Sequence, residues 1–405
     1  MMTRRVAGML AVTVLTTAIS ISAYEIGHVT LNLVDSARDD RPVPTEVYYP
    51  SDVPGEEVPV ALPPEAGFPV LAFGHGFVIS VDDYRFVWEG LVPEGYVVAL
   101  PRTETGLTPS HLDLGLDLAF AGNELLAAGE DPASPFFGAI AATRGVGGHS
   151  MGGGASFLAM ASAPGITALF NFAAAETSPS AIAAASQITA PALLFGGSLD
   201  CVTPPPTHQL PMYEALNSGC RTYAELQGAS HCQFAEYNVW CNLGELGCPP
   251  PTMSRDQQHQ LTLGLLRPWL DHFLCGDLDA WAEFQALLAS QPEVSSLQDC
   301  GAAVAAGSAN RRFPDVRLTV SSRKPASSQA NFVVESRVGG TFALSIYDVS
   351  GRRLRGLTLR QSGAGRHEFA WDGTDDRQRP VATGCYLCRL DSHPACAPVR
   401  VLVIR

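Results

Sequence analysis

Hydrophobic positions between residues 29 and 270 alternate between short apolar runs and longer stretches with a helical period. The runs at 68–77, 95–103 and 190–200 end in glycines or turn residues, as buried strands do. Residues 111–129 instead repeat their apolar positions every three or four residues, which predicts an amphipathic helix. This alternation predicts an α/β fold with a mostly parallel sheet and helices on both faces.

The pattern changes near residue 301. A closing amphipathic helix is predicted over 256–274, with an interruption at Pro268, and residues 301–315 are an Ala- and Gly-rich linker. Seven short strand-like segments follow, separated by turns with Gly, Asp and Ser. They predict a small all-β sandwich over 316–405, after a first domain of residues 24–300.

Residues 1–23 have the pattern of a secretory signal peptide. Arg4 and Arg5 precede an uncharged apolar stretch that ends in small residues, and cleavage is expected after Ala23. An uncleaved anchor helix is the alternative. We expect a secreted protein, located outside the cell, on its surface or in the periplasm.

The net charge and the cysteine content limit which binding partners and cofactors are expected. The formal net charge of −14 argues against binding to nucleic acid or to an anionic membrane surface. All 10 cysteines follow residue 200, and in an exported chain they predict disulfides. No zinc-type pair of CxxC motifs is present, so the cysteines predict no metal site. No organic cofactor is implied by the sequence either.

The most informative motif is Gly148-His149-Ser150-Met151-Gly152, which fits G-x-S-x-G. In a nucleophile elbow, serine sits on a strained turn between a strand and a helix, and the flanking glycines avoid collisions with neighbouring backbone. A strand-like run precedes Ser150 and a helix-like run follows it, which is the context this motif requires. Ser150 is therefore the predicted nucleophile, and Gly148 and Gly152 are the elbow glycines.

A serine nucleophile needs a base and an acid that orients the base. In this kind of fold the chain order is serine, then Asp or Glu, then His. Asp200 closes an apolar strand and His231 directly follows another, so they are the predicted acid and base. Glu176 is the alternative acid.

Two backbone N–H groups are expected to stabilise the oxyanion of the tetrahedral intermediate. One belongs to Met151, which directly follows the nucleophile. The other belongs to Phe77 in the motif "GHGF", where Gly74 and Gly76 permit a turn after the early strand.

These segments resemble the α/β-hydrolase superfamily over residues 27–275. The motifs "GHSMGGGAS", "GHGF", "SLDCVTPP", "HQLPMYEAL" and "GASH" are similar, in order and spacing, to the cutinase-like polyester hydrolases and the neighbouring chlorophyllase and dienelactone hydrolase group. The resemblance implies an α/β-hydrolase fold and the same nucleophile, acid, base and oxyanion roles. Glu176 and Thr177 stand where polyester hydrolases usually carry tryptophan, so a more polar wall is expected there.

The remaining predictions concern cysteines. Because Cys201 and Cys232 directly follow the acid and the base, a Cys201–Cys232 disulfide is predicted to join their loops. Local closures are predicted for the pairs Cys241–Cys248, Cys275–Cys300 and Cys388–Cys396, which leaves Cys220 unassigned among the cysteines of the first domain.

The C-terminal segment resembles the immunoglobulin-like domain of flagellar hook-capping proteins through "LSIYDVSGRRLRGL", "GAGRHEFAWDGTD" and "VATGCYLCRL". The resemblance implies a fold and no catalytic part. It leaves open a role in attachment to a cell surface, engagement of secretion machinery, or stability.

The function expected from these features is hydrolysis of small or polymeric carboxylic esters through an acyl-enzyme. Two alternatives stay open. One is a non-catalytic surface or adhesion protein on a hydrolase scaffold. The other is an enzyme that acts on amides or transfers acyl groups.

Overall fold

The structure is a computed structural model that describes residues 24–64, 66–301, 316–320, 329–336, 340–348, 352–362, 365–392 and 399–403. The predicted signal peptide, residues 1–23, lies outside the described residues, as does the predicted linker except Gly301.

The first domain is built on one 10-stranded sheet with the spatial order β10-β9-β8-β7-β6-β4-β5-β2-β1-β3. The strands are β1 (Glu25–Asp35), β2 (Arg41–Ser51), β3 (Gly55–Glu56), β4 (Phe68–Gly74), β5 (Val97–Pro101), β6 (Ile140–His149), β7 (Ala168–Phe172), β8 (Ala192–Gly197), β9 (Cys220–Leu226) and β10 (Val294–Cys300). The central strands β4 to β9 pair in parallel, while β1, β2 and β10 join the sheet through antiparallel pairs. A mostly parallel sheet is confirmed.

Eight α-helices accompany this sheet in the described part of the first domain. They are α1 (Arg85–Leu91), α2 (His111–Glu130), α3 (Met151–Ser162), α4 (Ala181–Ala185), α5 (Gln209–Ala215), α6 (Val239–Gly244), α7 (Arg255–Leu270) and α8 (Leu278–Ser290). Short 3-10 turns cover Ser36–Arg38, Val81–Tyr84, Val92–Glu94, Pro205–Thr207 and Cys232–Phe234. None of the helices described is both long and apolar enough to cross a membrane.

The core lies in two layers because neighbouring strand residues face opposite sides of the sheet. Phe73 of β4 packs in a cluster with residues of α1, α7 and α8, including Trp269. Ala72, the preceding residue, packs in a second cluster with residues of α2, α3 and α5, including Phe157. Helices on both faces of the sheet are therefore confirmed.

The predicted interruption at Pro268 is wrong. Helix α7 continues through Pro268 to Leu270 and passes into a π-helical turn at Asp271–Cys275. A proline removes one backbone donor, but the fully buried Trp269 and Leu270 hold the last turn against the core. Helix α8 and strand β10 were not predicted from the pattern.

The second domain contains seven strands in its described residues. They are β11 (Val316–Val320), β12 (Ala330–Ser336), β13 (Gly340–Tyr347), β14 (Arg353–Ser362), β15 (Gly365–Trp371), β16 (Gly384–Leu390) and β17 (Val399–Val403). They form sheets with the orders β11-β12-β15 and β14-β13-β16-β17, and side chains from both sheets share one apolar core. Each predicted strand segment forms a strand, so the all-β architecture is confirmed.

Candidate active site

Ser150 occupies a sharp turn between the central strand β6 and helix α3. Its φ and ψ of 52° and −116° are strained for a residue other than glycine. The turn is held by hydrogen bonds from the Ser150 N–H to the Phe172 carbonyl (3.0 Å) and from the Ala175 N–H to the Ser150 carbonyl (2.8 Å). This geometry matches the nucleophile elbow expected from the motif.

The elbow glycines lie where a side chain has no room. A Cβ added at Gly148 would approach the Gly152 carbonyl carbon to 2.4 Å, and one added at Gly152 would approach the Gly74 oxygen to 2.1 Å. Both distances are below any ordinary Cβ contact. The glycines therefore let strand β4, the serine turn and helix α3 lie against one another.

Asp200 and His231 meet because the loops after β8 and β9 bring them together. The His231 Nδ1–H donates to Asp200 Oδ2 at 2.8 Å, and both side chains are buried. Thr203 also supports the carboxylate, since its N–H donates to Oδ1 at 2.8 Å and its hydroxyl contacts Oδ2 at 2.9 Å. Burial alone raises the pKa of Asp200, but the His231 ring and the bonds from Thr203 outweigh it and hold the pKa below its usual value. The carboxylate stays charged beside the ring.

Ser150 and His231 line the same cavity, which has a volume of about 790 Å³. Among the described residues, no hydrogen bond joins the Ser150 hydroxyl to the His231 ring. Such bonds are often long without substrate and tighten only in the reacting complex. The carboxylate of the alternative acid, Glu176, accepts the Ile182 N–H at the start of α4 rather than a ring proton of His231.

The two residues predicted to supply the oxyanion donors flank the serine. Met151 is the first residue of α3, and N–H groups in the first turn of a helix have no acceptor within that helix. Phe77 follows β4 and lines the same cavity as Ser150. Their function as donors stays a prediction.

A buried hydrogen-bonded chain connects the turn that contains Phe77 to the loop that contains His231. The Gly76 N–H donates to the Tyr84 hydroxyl oxygen at 2.8 Å, and that hydroxyl lies 2.9 Å from His149 Nδ1. His149 Nε2 lies 3.1 Å from the His231 carbonyl, which can only accept, so Nε2 carries the proton and Nδ1 accepts from Tyr84.

Burial fixes the protonation of this chain. It lowers the pKa of His149 well below the usual value, with a further contribution from the nearby His231, so His149 is neutral. Burial raises the pKa of Tyr84, so the phenol keeps its proton. Neither residue was predicted to belong to the site, since chain order excludes a histidine before the serine as base. The available signal was His149, a polar residue at the end of the apolar run before Ser150, whereas Tyr84 stands among Asp82, Asp83 and Arg85 and gave no such signal.

The predicted pairing of the cysteines next to Asp200 and His231 is wrong. Cys201–Cys232 and Cys241–Cys248 do not form. The disulfides are Cys201–Cys248 and Cys232–Cys241. Asp200 and His231 do meet, but a segment of residues 236–251, containing α6, supplies other partners for the two cysteines. Each cysteine pairs with that segment.

The predicted Cys275–Cys300 disulfide is also wrong. Cys300 closes strand β10 directly opposite Cys220 on β9, and these two form the third disulfide. The Cys275 Sγ lies 3.5 Å from the Tyr96 hydroxyl. The predicted Cys388–Cys396 pair stays a prediction: Cys388 lies on β16, whereas Cys396 lies outside the described residues.

Segment 236–251 also contributes to the cavity. Trp240, Cys241 and Gly244 of this segment line it, together with Phe77, Val78, Ile79, Ser80, Val81, Arg102, Thr105, Leu107, Ser150, Val202 and His231. Glu176 and Thr177 do not line this cavity, so a polar wall at that position stays a prediction. The part of the chain that the structure describes contains no cluster of His, Cys, Asp and Glu suited to a metal ion.

A serine elbow on a central parallel strand, with a buried Asp–His pair beside it, defines the class of α/β hydrolases. Two segments of the chain match models of known families. Residues 45–246 match the model of the PET hydrolase-like family, and residues 321–393 match that of the FlgD Ig-like domain. The expected resemblances to cutinase-like hydrolases and to the hook-capping domain are thus confirmed.

The curated relatives are distant. Cutinase 1 of Thermobifida cellulosilytica and a cutinase of Thermobifida fusca (strain YX) are each 34% identical over 85 residues, 21% of this chain. These residues cover 31% and 27% of the two cutinases, so the chain spans less than a third of their length. At the level of the family, the matches support a carboxylic ester hydrolase, and with three disulfides they indicate an extracellular protein.

Proposed function

We propose that this chain is a secreted serine hydrolase that cleaves carboxylic esters through an acyl-enzyme. The observation that carries the proposal is the strained Ser150 turn, which faces a cavity also lined by His231, while His231 is hydrogen-bonded to the buried Asp200. The cutinase relatives support ester cleavage as the reaction class.

In this mechanism the Ser150 hydroxyl attacks the ester carbonyl as His231 Nε2 accepts its proton. Asp200 holds the other ring nitrogen in its protonated form and stabilises the imidazolium. The N–H groups of Met151 and Phe77 stabilise the oxyanion. His231 then protonates the leaving alcohol. In the second half of the reaction His231 deprotonates water, the water attacks the acyl-enzyme, and the proton passes back to the Ser150 oxygen as the acid leaves.

The test compares hydrolysis of p-nitrophenyl butyrate by the wild type and Ser150→Ala, with Ser156→Ala as control. Ser156 is a buried serine of the same helix whose hydroxyl donates to the Gly153 carbonyl, so it reports the general cost of removing a hydroxyl there. We expect kcat to fall on the order of a million-fold for Ser150→Ala, to the assay background, and to change little for Ser156→Ala.

Other outcomes separate the alternatives. A folded wild type with no turnover of any activated ester favours a non-catalytic scaffold. Faster turnover of a matched p-nitroanilide than of the p-nitrophenyl ester favours an amidase. Product acyl groups recovered on an added alcohol rather than in water favour a transferase.

A further inference from the structure

Segment 236–251 is attached directly to the loops that carry the predicted acid and base. Its Cys248 is bonded to Cys201, the residue after Asp200, with 5.5 Å between the Cα atoms. Its Cys241 is bonded to Cys232, the residue after His231, with 5.7 Å between the Cα atoms. A shift of the segment therefore has to pull on both loops or break a disulfide.

Hydrogen bonds add two further attachments. The Glu245 carboxylate accepts the Cys232 N–H at 2.9 Å. The Asn238 amide donates to the Asp83 carboxylate at 2.8 Å, next to the Tyr84 that supports the oxyanion turn. The segment is thus held from the base loop and from the loop after β4.

The attached segment presents an apolar wall to the cavity. Trp240 is 63% exposed and lines the cavity, and so do the exposed side chains of Leu107, Phe77 and Val202. Large apolar side chains gathered around a cavity mouth mark a binding surface. Of the residues that line the cavity, Arg102 carries a full charge, and its guanidinium is paired with the Glu46 carboxylate at 2.8 Å.

We infer that Trp240 is the binding surface for an extended apolar group of the ester substrate, and that the disulfides of segment 236–251 hold it in that position. This inference rests on the proposed ester hydrolase. An indole offers a broad apolar face to an alkyl or aromatic group, and the neutralised Arg102 leaves that group no unpaired charge to displace. Selectivity for long over short esters then depends on Trp240.

The first experiment measures kcat/KM of Trp240→Ala on p-nitrophenyl acetate and octanoate. The matched control is Leu246→Ala, on the same segment, because Leu246 is 77% exposed and does not line the cavity. For Trp240→Ala we expect a loss of roughly 10- to 50-fold on octanoate and less than about threefold on acetate, since removing apolar contact discriminates by this order. A second series, methyl against octyl butyrate, shows whether the group lies on the acyl or the alcohol side.

The inference is overturned if Trp240→Ala loses kcat/KM equally on acetate and octanoate and equally on methyl and octyl butyrate. It is also overturned if Leu246→Ala shows the same change of selectivity as Trp240→Ala. Failure of the proposed function looks different. In that case turnover survives in Ser150→Ala or is absent from the wild type, whereas failure of this inference leaves Ser150-dependent turnover with unchanged selectivity in Trp240→Ala.

The second experiment removes an attachment. Cys201→Ser/Cys248→Ser is compared with Cys220→Ser/Cys300→Ser, which removes the disulfide at the β9–β10 edge of the sheet. We expect the octanoate-to-acetate selectivity to fall roughly 3- to 10-fold only in the first pair, and to fall less than additively when Trp240→Ala is combined with it. Equal selectivity in the two pairs contradicts the role of the disulfide. If the first pair does not fold, the Trp240→Ala result alone decides on the binding surface.

Discussion

Gly152→Ala tests whether the close approach of backbone at the elbow is required. The added Cβ would lie 2.1 Å from the Gly74 oxygen, 2.2 Å from its carbonyl carbon and 2.7 Å from the His75 oxygen. All three atoms are backbone, so no side-chain rotation relieves the contact. They also belong to the chain that leads from β4 into the turn with Phe77.

Two effects of opposite sign compete at this position. Gly152 is the second residue of α3, where alanine is favoured over glycine by about 1 kcal/mol. Against this, the Gly74 oxygen must move by about 0.9 Å to reach the 3.0 Å limit of real Cβ contacts. Overpacking of this kind costs typically about 1–3 kcal/mol, so the collision outweighs the helix propensity. A shift of the same turn that displaces one oxyanion donor costs on the order of 100- to 1,000-fold in kcat.

The assay combines urea unfolding, followed by tryptophan fluorescence, with kcat on p-nitrophenyl butyrate. Gly264→Ala in α7 is the matched control, because nothing lies within 4 Å of its added Cβ. We expect Gly264→Ala to raise the free energy of unfolding by roughly 0.5–1 kcal/mol at unchanged kcat, while Gly152→Ala lowers both quantities. Wild-type stability and kcat in Gly152→Ala would refute the reasoning.

Three further predictions concern the site and its surroundings. Tyr84→Phe leaves the Gly76 N–H without its acceptor, so kcat on p-nitrophenyl butyrate should fall roughly 10-fold with little change in KM; an unchanged kcat contradicts this. Asp200→Asn should lower kcat at pH 8 on the order of 1,000- to 10,000-fold, because the neutral amide no longer holds the His231 tautomer. A loss below about 10-fold in the same assay argues against Asp200 as the acid. Burial, followed by the charge of Arg255, lowers the pKa of His259 from 6.5 to about 4. Between these pH values the unfolded chain binds a proton at His259 that the folded chain does not bind, so the free energy of unfolding falls as the pH drops from 6.5 towards 4. His259→Phe, which keeps a ring against Phe86, should lose less free energy of unfolding between pH 7 and pH 4.5 than the wild type; equal losses exclude His259 as a source.

The elbow and the Asp–His pair could be predicted because their signals are local. Gly148, Ser150 and Gly152 lie within one turn, and the strand before it and the helix after it are visible as apolar periodicity. Asp200 and His231 each follow a strand of a parallel sheet, and the ends of such strands meet at one edge. No long-range pairing had to be guessed to bring them together.

The disulfides and the apolar wall could not be predicted in this way. Their geometry depends on the path of segment 236–251, which has no strand at either end to fix its direction. The predicted Cys201–Cys232 pair follows correctly from the approach of Asp200 to His231 but ignores the segment between them. Strand β10 was not predicted for a different reason. Five of its seven residues are exposed and it pairs only with β9 at the edge of the sheet, so its sequence lacks the apolar run of a buried strand.

Two sets of contacts support the site, one made of hydrogen bonds and one of disulfides. Their contributions to kcat and to substrate selectivity can therefore be measured separately. Inside, the Tyr84–His149 chain joins the oxyanion turn to the base loop through neutral, fully buried groups. Outside, disulfides join the acid and base loops to the segment that carries Trp240. The inner chain contacts the turn and the loop that we propose to act in the chemical step, so its loss should appear in kcat for every ester. The outer segment contacts the cavity mouth, so its loss should appear as a change of kcat/KM that grows with the apolar group. If Tyr84→Phe changed selectivity and Trp240→Ala changed kcat on acetate, this division would be the wrong way round.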